Sequence, residues 1–358
     1  MSVMREENCL PKFSVVVAAY NAERSLGNTI QSLLDQDYPN YEIIIVDDAS
    51  SDRTNEIAAS YKCNLIRLDK NSGPGIGRNV GVKAGSGEHI AFTDADCIVP
   101  VDWLSRFETR LRDDTIVGVT GGYSDAAADT FISRYMMYEL EKRQKNLNGR
   151  CRCAITANLA CRRDAFDAAG GFPIYYITSP ASSKKPYHGN EDNELAFLLT
   201  EANGDIWWDT EIKVKHVFRT SILGYYKQQR NFAETALVSL AQFPAMLGVK
   251  MNYNGSNTAA QLISTAVIFI SFVFLFFRPS IALPALTIFF LLHMAINAEA
   301  LISIARNGMG FLGTIASVFL LFLRNCAWYA GLARGTLFSF RIIAGRLLSN
   351  IPAKAKNI

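Results

Sequence analysis

Two acids spaced i, i+2, Asp94 and Asp96, close the apolar run HIAFT at residues 89–93. On an extended segment such side chains point the same way, and two carboxylates on one side make a hard-oxygen site suited to Mg2+ or Mn2+. The same residues also fit ordinary turn chemistry, in which Asp is common. A second acidic pair, Asp47-Asp48, follows the run EIIIV at 42–46, and Tyr20-Asn21 follow FSVVVA at 13–18. Arg78 stands in the glycine-rich stretch GPGIGRNVG. GxGxxG is absent, but backbone N–H groups and a guanidinium together suit a phosphate. A third acidic cluster, NEDNEL at 190–195, reads from its residues as a capped helix start, with acids at the positive helix end. Cys151, Cys153 and Cys161 have the residue type for zinc. A one-residue gap is not finger spacing and no fourth ligand is near, so free thiols in a reducing cytoplasm are expected.

The runs that end at these polar groups are short and rich in β-branched residues, as strands buried on both faces of a sheet should be. A fourth run covers 64–68. Helical periodicity separates them: Leu26, Ile30, Leu33 and Leu34 recur at i, i+4, i+7, i+8, Ile57, Ala58 and Tyr61 repeat it more weakly, and a third helix is expected over 76–84. Repeated alternation of strand and helix argues a parallel α/β sheet with right-handed crossovers. Ligands of such sheets sit at the carboxyl ends of the strands, where the polar residues above fall.

The 358 residues suffice for two domains, and their charge is unevenly shared. Residues 1–258 hold 28 bases against 32 acids, whereas the last hundred hold eight bases against the single acid Glu299. An overall charge of +3 gives no support to nucleic-acid binding. Residues 259–277, 281–298 and 308–323 are uncharged apolar runs, and three in series argue for membrane helices rather than buried soluble ones. Arg324 closes the third, and the basic residues Arg334, Arg341, Arg346, Lys354 and Lys356 point to the cytoplasmic face. Three crossings conflict with a catalytic domain and tail on one face. Either one segment is re-entrant or interfacial, or 328–343 crosses as a fourth. The expected domains are 1–235 catalytic, 236–258 an interfacial helix or linker, and 259–358 membrane helices with a basic tail.

Together these residues resemble the GT-A catalytic domain of the family 2 inverting glycosyltransferases, over about residues 12–221. The segment from FSVVVAAYNAERSL to VDDASSDRT resembles that family's opening, GPGIGRNVG its arginine-bearing helix, FTDADCIVP its DxD segment and NEDNEL its ED motif. The resemblance implies a GT-A fold, a Rossmann-like, mostly parallel sheet flanked by helices, followed here by a C-terminal transmembrane region. It implies that Ala18, Tyr20, Asp47 and Asp48 hold the nucleotide, that Arg78 helps bind the nucleotide or diphosphate, and that Asp94 and Asp96 hold the diphosphate through Mg2+ or Mn2+. Asp192 becomes the base for the acceptor hydroxyl, with Glu191 as a neighbour able to perturb it. Asn158, Arg162 and Gly171 shape the sugar and acceptor pocket. His216 is a further metal or diphosphate contact, or a packed strand histidine. Residues 173–190 read as a loop, either an acceptor lid or a surface insertion. YYKQQRNF at 225–232 lacks the register and the Trp of the processive QxxRW motif.

The implied activity is transfer of a sugar from a UDP- or GDP-type nucleotide donor to a lipid-linked glycan in exopolysaccharide or surface polysaccharide assembly. The catalytic domain would face the cytoplasm from the inner or plasma membrane. Two rivals stand beside it: a polyprenyl-phosphate sugar synthase, and a non-catalytic nucleotide-sugar-binding scaffold of a membrane glycan-assembly complex.

Overall fold

The computed structural model describes residues 10–124, 130–144, 147–179, 182–187, 189–201, 204–216, 220–248, 258–306 and 310–349. Cys9, the end of the expected linker and the basic residues Lys354 and Lys356 lie outside them. The chain divides into two compact units. The first comprises 1–127, 144–217 and 250–252, and the second 128–143, 218–249 and 253–358. This division differs from a boundary at 235.

In the first unit, strands β1 (Phe13–Ala19), β2 (Tyr41–Asp47), β3 (Asn64–Arg67) and β4 (His89–Asp94) alternate with helices α1 (Leu26–Leu34), α2 (Thr54–Ala59) and α3 (Pro74–Ala84). Then come β5 (Cys97–Ile98), α4 (Trp103–Leu111) and β6 (Ile116–Ser124), followed in the second unit by α5 (Phe131–Gln144). The first unit continues with β7 (Gly149–Cys151), a 3-10 turn at Thr156–Asn158, β8 (Leu159–Arg162) and α6 (Arg163–Ala168). It ends with β9 (Tyr175–Ser179), β10 (Ser182–Tyr187), α7 (Glu191–Glu201) and β11 (Asp205–His216). The main sheet runs β3-β2-β1-β4-β8-β6-β11-β5, with β7 on β11. The four strands β1 to β4 are parallel, as their unbroken apolar runs demand, while β8 enters antiparallel between β4 and β6. Val15, Val16, Val17, Ile44, Ile45, Val46, Ile90 and Phe92 form its buried centre.

Helix α3 lies close on this sheet because Gly81 has no side chain. A Cβ there would stand 2.4 Å from Val16 Cγ1. The stretch 173–190, expected as a loop, contains the antiparallel hairpin β9–β10. Its Tyr, Ile and Thr content favours strands and prevails over the Ser and Pro content that reads as a loop. The six described cysteines are free.

The second unit contains α5, α8 (Ile222–Gln242), a short 3-10 turn, α9 (Thr258–Phe274), α10 (Pro279–Ile296), α11 (Ala298–Ile304) and α12 (Gly310–Ser349). Among the described residues two helices are long and apolar enough to cross a bilayer, Pro279–Ile296 and Gly310–Phe340, and Ala260–Phe274 is a shorter apolar one. Arg324 ends the third uncharged run but not its helix. The helix continues through it, because the guanidinium is buried and paired with Glu139.

Candidate active site

Register places the suspected residues on one edge. Ala18 pairs with Asp94 and Ala19 with Asp47, so β1, β2 and β4 end level with one another. The turns that follow are cross-linked. Asn21 takes a left-handed conformation at φ 49° and Ala49 at φ 59°, which non-glycine residues adopt at a cost. The strain is held by hydrogen bonds: the Asn21 amide donates to Ser50 Oγ (3.0 Å), and the Ser51 amide donates to Asn21 Oδ1 (2.9 Å). Two strained residues after adjacent strand ends mark a shaped rim, and Ala49 carried no sequence signal.

The two acids of the Asp47-Asp48 pair are buried within this rim. Asp47 Oδ1 accepts from the Ser50 amide at 3.0 Å, and Asp47 Oδ2 lies 3.5 Å from Arg67 Nε. Asp48 accepts from the Ser72 and Gly73 amides, each at 2.7 Å. That bidentate contact fixes the entrance to α3, where Gly73 supplies φ 89°. Tyr20, by contrast, is 51% exposed beside Ala18 at the end of β1. A ring so open at a strand end is available for stacking.

Arg78 projects from α3 into the centre of the site and is almost fully buried. Its Nη2 donates to Asp94 Oδ1 at 2.7 Å, its Nη1 lies 3.6 Å from Glu191 Oε1, and its guanidinium stands over the Phe172 ring at 5.4 Å. Burial works against the charge, but Asp94, Asp192 and Glu191 outweigh it and hold the guanidinium above its ordinary pKa. One arginine thus joins the DxD segment to the acidic start of α7. Its Nε and Nη1 make no hydrogen bond among the described residues. Both atoms are buried, and Nη1 faces the Glu191 carboxylate.

Asp192 is the second residue of α7. Its carboxyl is pushed up to about 6, first by burial and then by the Glu191 charge; Arg78 and a hydrogen bond from Thr156 pull it down. A helix N-terminus alone would lower it, so desolvation and the neighbouring acid prevail. The hydroxyl of Thr156, buried on the 3-10 turn before β8, donates to Asp192 Oδ1. Thr156 was missed by sequence reasoning because its contact spans 36 positions and no motif marks it.

The end of β11 pairs antiparallel with β5, which sets His216 opposite Cys97. His216 Nε2 then lies 3.6 Å from Asp96 Oδ1, and Tyr123 packs on the imidazole at 5.1 Å between ring centres. Donor atoms of Asp96, Cys97 and His216 lie within 4.8 Å of one another. Burial, with the Asp94 and Asp96 charges, pushes the Cys97 thiol well above its ordinary value. It is therefore a poor thiolate donor, and the carboxylate with the imidazole is the pair that fits a hard dication such as Mn2+ or Mg2+. Asp94 is drawn to Arg78 instead.

The three residues expected around a sugar pocket are engaged inside the fold. Asn158 is fully buried: Oδ1 accepts from Trp103 Nε1, and Nδ2 donates to the carbonyls of Gly122 and Ile212, all at 2.9 Å. Arg162 donates to the carbonyls of Ile116 and Leu111 and pairs with Asp114. Gly171 is left-handed at φ 75°, and Asn79 pins the adjoining Phe172 backbone through both its amide atoms. Arg162 pairs in register with His89, the first residue of β4, whereas Asp94 is its last, so the structure does not bring Arg162 to the carboxyl edge.

A parallel α/β half-sheet with acids at its carboxyl edge, joined to a mixed half carrying the ED helix, is a GT-A fold. The structure is similar over 91% of the chain to 87% of the "Mannosyltransferase PcManGT from Pyrobaculum calidifontis in complex with GDP-Man and Mn2+", with a TM-score of 0.55 at 17% identity. Residues 14–170 match the model "Glycosyl transferase family 2". The chain is 30% identical over 179 residues to Glycosyltransferase AglE of Haloferax volcanii, covering 47% of this chain and 58% of that protein. It is 37% identical over 127 residues to the Putative teichuronic acid biosynthesis glycosyltransferase TuaG of Bacillus subtilis, covering 34% and 50%. It is 39% identical over 104 residues to Succinoglycan biosynthesis protein ExoO of Rhizobium meliloti, covering 28% and 30%. The matches thus span from about three-fifths to under a third of these relatives' lengths.

Proposed function

We propose that this protein is a membrane-anchored inverting glycosyltransferase. It moves a sugar from a UDP- or GDP-type nucleotide donor to a lipid-linked glycan in polysaccharide assembly, with its catalytic domain cytoplasmic. The observation that carries the chemistry is Asp192, a carboxyl poised near neutrality beside the Arg78–Asp94 pair. Bases work best with a pKa near the operating pH. Relatives named for teichuronic acid and succinoglycan biosynthesis support the polysaccharide setting.

In this reading Asp192 takes the acceptor hydroxyl's proton as that oxygen attacks the anomeric carbon opposite the departing diphosphate, which inverts the centre. Thr156 holds the accepting carboxylate in place. Arg78 fixes Asp94 and Glu191, and its charge offsets the negative charge of the donor diphosphate. Tyr20 stacks on the nucleotide base, and the Asn21 and Ala49 turns shape its seat. A divalent cation held by Asp96 and His216 would stabilise the charge left on the nucleoside diphosphate. Anchoring suits a lipid-linked acceptor, because catalyst and acceptor then meet at raised effective concentration in one interface.

Membranes from expressing cells, screened against nucleotide sugars by mass spectrometry, should transfer sugar, lose transfer in EDTA and regain it with Mn2+ or Mg2+. Asp192→Asn should lower kcat about 10²–10⁴-fold while nucleotide binding persists. Undiminished activity in EDTA would remove the cation from the mechanism. Turnover of Asp192→Asn within a few fold of wild type would remove the base and favour a phosphate-oxygen acceptor.

A further inference from the structure

The sequence counts three apolar runs, an odd number that conflicts with a catalytic domain and a basic tail on one face of a membrane. Side-chain contacts within the second unit give the directions of the helices. Gln261 Nε2 donates to Asn297 Oδ1 at 2.9 Å, and Ser264 Oγ meets His293 Nδ1 at 2.8 Å, so α9 and α10 are an antiparallel hairpin turning at Phe277-Arg278. Asn325 Nδ2 donates to Thr265 Oγ1 at 2.9 Å and Tyr329 Oη to the Leu262 carbonyl at 2.6 Å, so α12 runs antiparallel to α9. The start of α12 therefore lies toward the end of the unit where α9 and α10 turn.

Polarity sorts along the same axis. Gln261, Asn297, Arg324, Asn325 and Glu139 satisfy one another in a single layer, where Arg324 donates to both Glu139 and Gln261. At the opposite end Phe276, Phe277, Phe311 and Leu312 are 74–79% exposed. Such residues have no place in water at that density. A hydrocarbon phase with a headgroup layer at the polar end accounts for both, and every polar group in the apolar part must find a partner within the protein.

Lengths then decide how far each helix reaches. From Gln261 to Arg278 is about 26 Å and α10 is about 27 Å, close to the roughly 30 Å of bilayer hydrocarbon. The exposed guanidinium of Arg278 extends the reach. Helix α11, seven residues, reaches only about 10 Å. Helix α12 has 40 residues, about 60 Å, twice the hydrocarbon thickness, so it cannot stand wholly within the bilayer. Its second half is the part packed along α8, with Arg334 paired to Glu234 at 3.0 Å.

We propose that 258–349 enters the bilayer as two hairpins from one face: α9–α10 crosses and returns, and α11 with the first half of α12 enters and returns. Residues 258, 297 and 324 then lie at one headgroup layer, Arg278 at the other, and the second half of α12 emerges on the face from which α9 entered. This rests on the membrane reading and makes its crossings even.

The test uses the full chain in a bacterial host, with Ser280→Cys beside the turn and an epitope tag at the C-terminus. An impermeant maleimide and a tag-directed protease are applied to spheroplasts before and after permeabilisation, with wild type as the labelling background. The expected result is that the residue-280 thiol and the tag become reachable from opposite faces. Reaction of both from one face, or no reaction at 280 even after permeabilisation, overturns the hairpin arrangement while anchoring stands. Release of the wild-type protein from membranes by alkaline carbonate would instead overturn the membrane reading itself.

Discussion

Thr156 and Asp192 show how a single hydroxyl tunes a base. The donated hydrogen bond favours the carboxylate, so removing it should raise the Asp192 pKa further. Transfer activity should fall as pH drops through about 6. In Thr156→Val this acid limb should move to higher pH, and Thr156→Ser should restore it; a pH–kcat profile unchanged in both variants would leave Thr156 without this role. Stability follows from the same shift. The folded pKa stands above the ordinary 3.8, so the folded chain holds the extra proton between those values, and stability falls as pH rises across that window. At pH 7 the ionised carboxyl is a cost. Asp192→Asn should raise Tm there by on the order of a few degrees, a gain that disappears below pH ~4.

Between helices, the decisive feature is a pair of glycines. Gly331 and Gly335, four apart on α12, lie against α8, where a Cβ would come 2.1 Å from the Arg230 carbonyl and 2.7 Å from that of Glu234. Trp328 Nε1 donates to Gln229 Oε1 at 3.0 Å, and Ser339 Oγ to the Leu237 carbonyl at 3.1 Å, so the two helices run parallel in close contact. Gly→Ala within a helix gains about 1 kcal/mol of propensity, but overpacking against backbone costs about 1–3 kcal/mol. The second effect should win, because a carbonyl cannot rotate away as a side chain can. Gly331→Ala should therefore lower the melting temperature in detergent, and Gly331→Leu should lower it more. A rise in both would show that α8 yields freely.

At the scale of the molecule, the compact units do not follow chain order. Helix α5 lies in sequence between β6 and β7 of the catalytic sheet, yet its buried Tyr135 packs on Tyr225, and its Glu139 bonds to Tyr225 and Arg324 of the helical unit. A chain truncated after residue 235 keeps α5 but lacks α12 and the end of α8. It should aggregate, since Glu139 loses its partner Arg324 and the face of α8 that packs on α12 is stripped bare. Replacing 128–143 by a short polar linker in that truncation should recover soluble protein that binds nucleotide. Size-exclusion chromatography of both chains decides, and a monodisperse 1–235 chain would contradict the interleaving.

Periodicity, composition and strand-end acids were enough to read β1 to β4, α1 to α3, the apolar C-terminal segments and the acids at the sheet's carboxyl edge. These are local properties: the side-chain repeat of two or 3.6 and the placement of turn residues are written within a few positions. The structure added what depends on register between distant segments. His216 meets Asp96 because β11 pairs with β5 across more than a hundred residues, Thr156 meets Asp192 across 36, and Arg78 turns to Asp94 and Glu191 at once. Arg324 marks the end of an uncharged run in the sequence, but that its helix continues and its charge is paired with Glu139, 185 positions away, only the structure shows. Local chemistry names the groups, and only the folded topology decides which of them share a low-dielectric space and so change one another's charge.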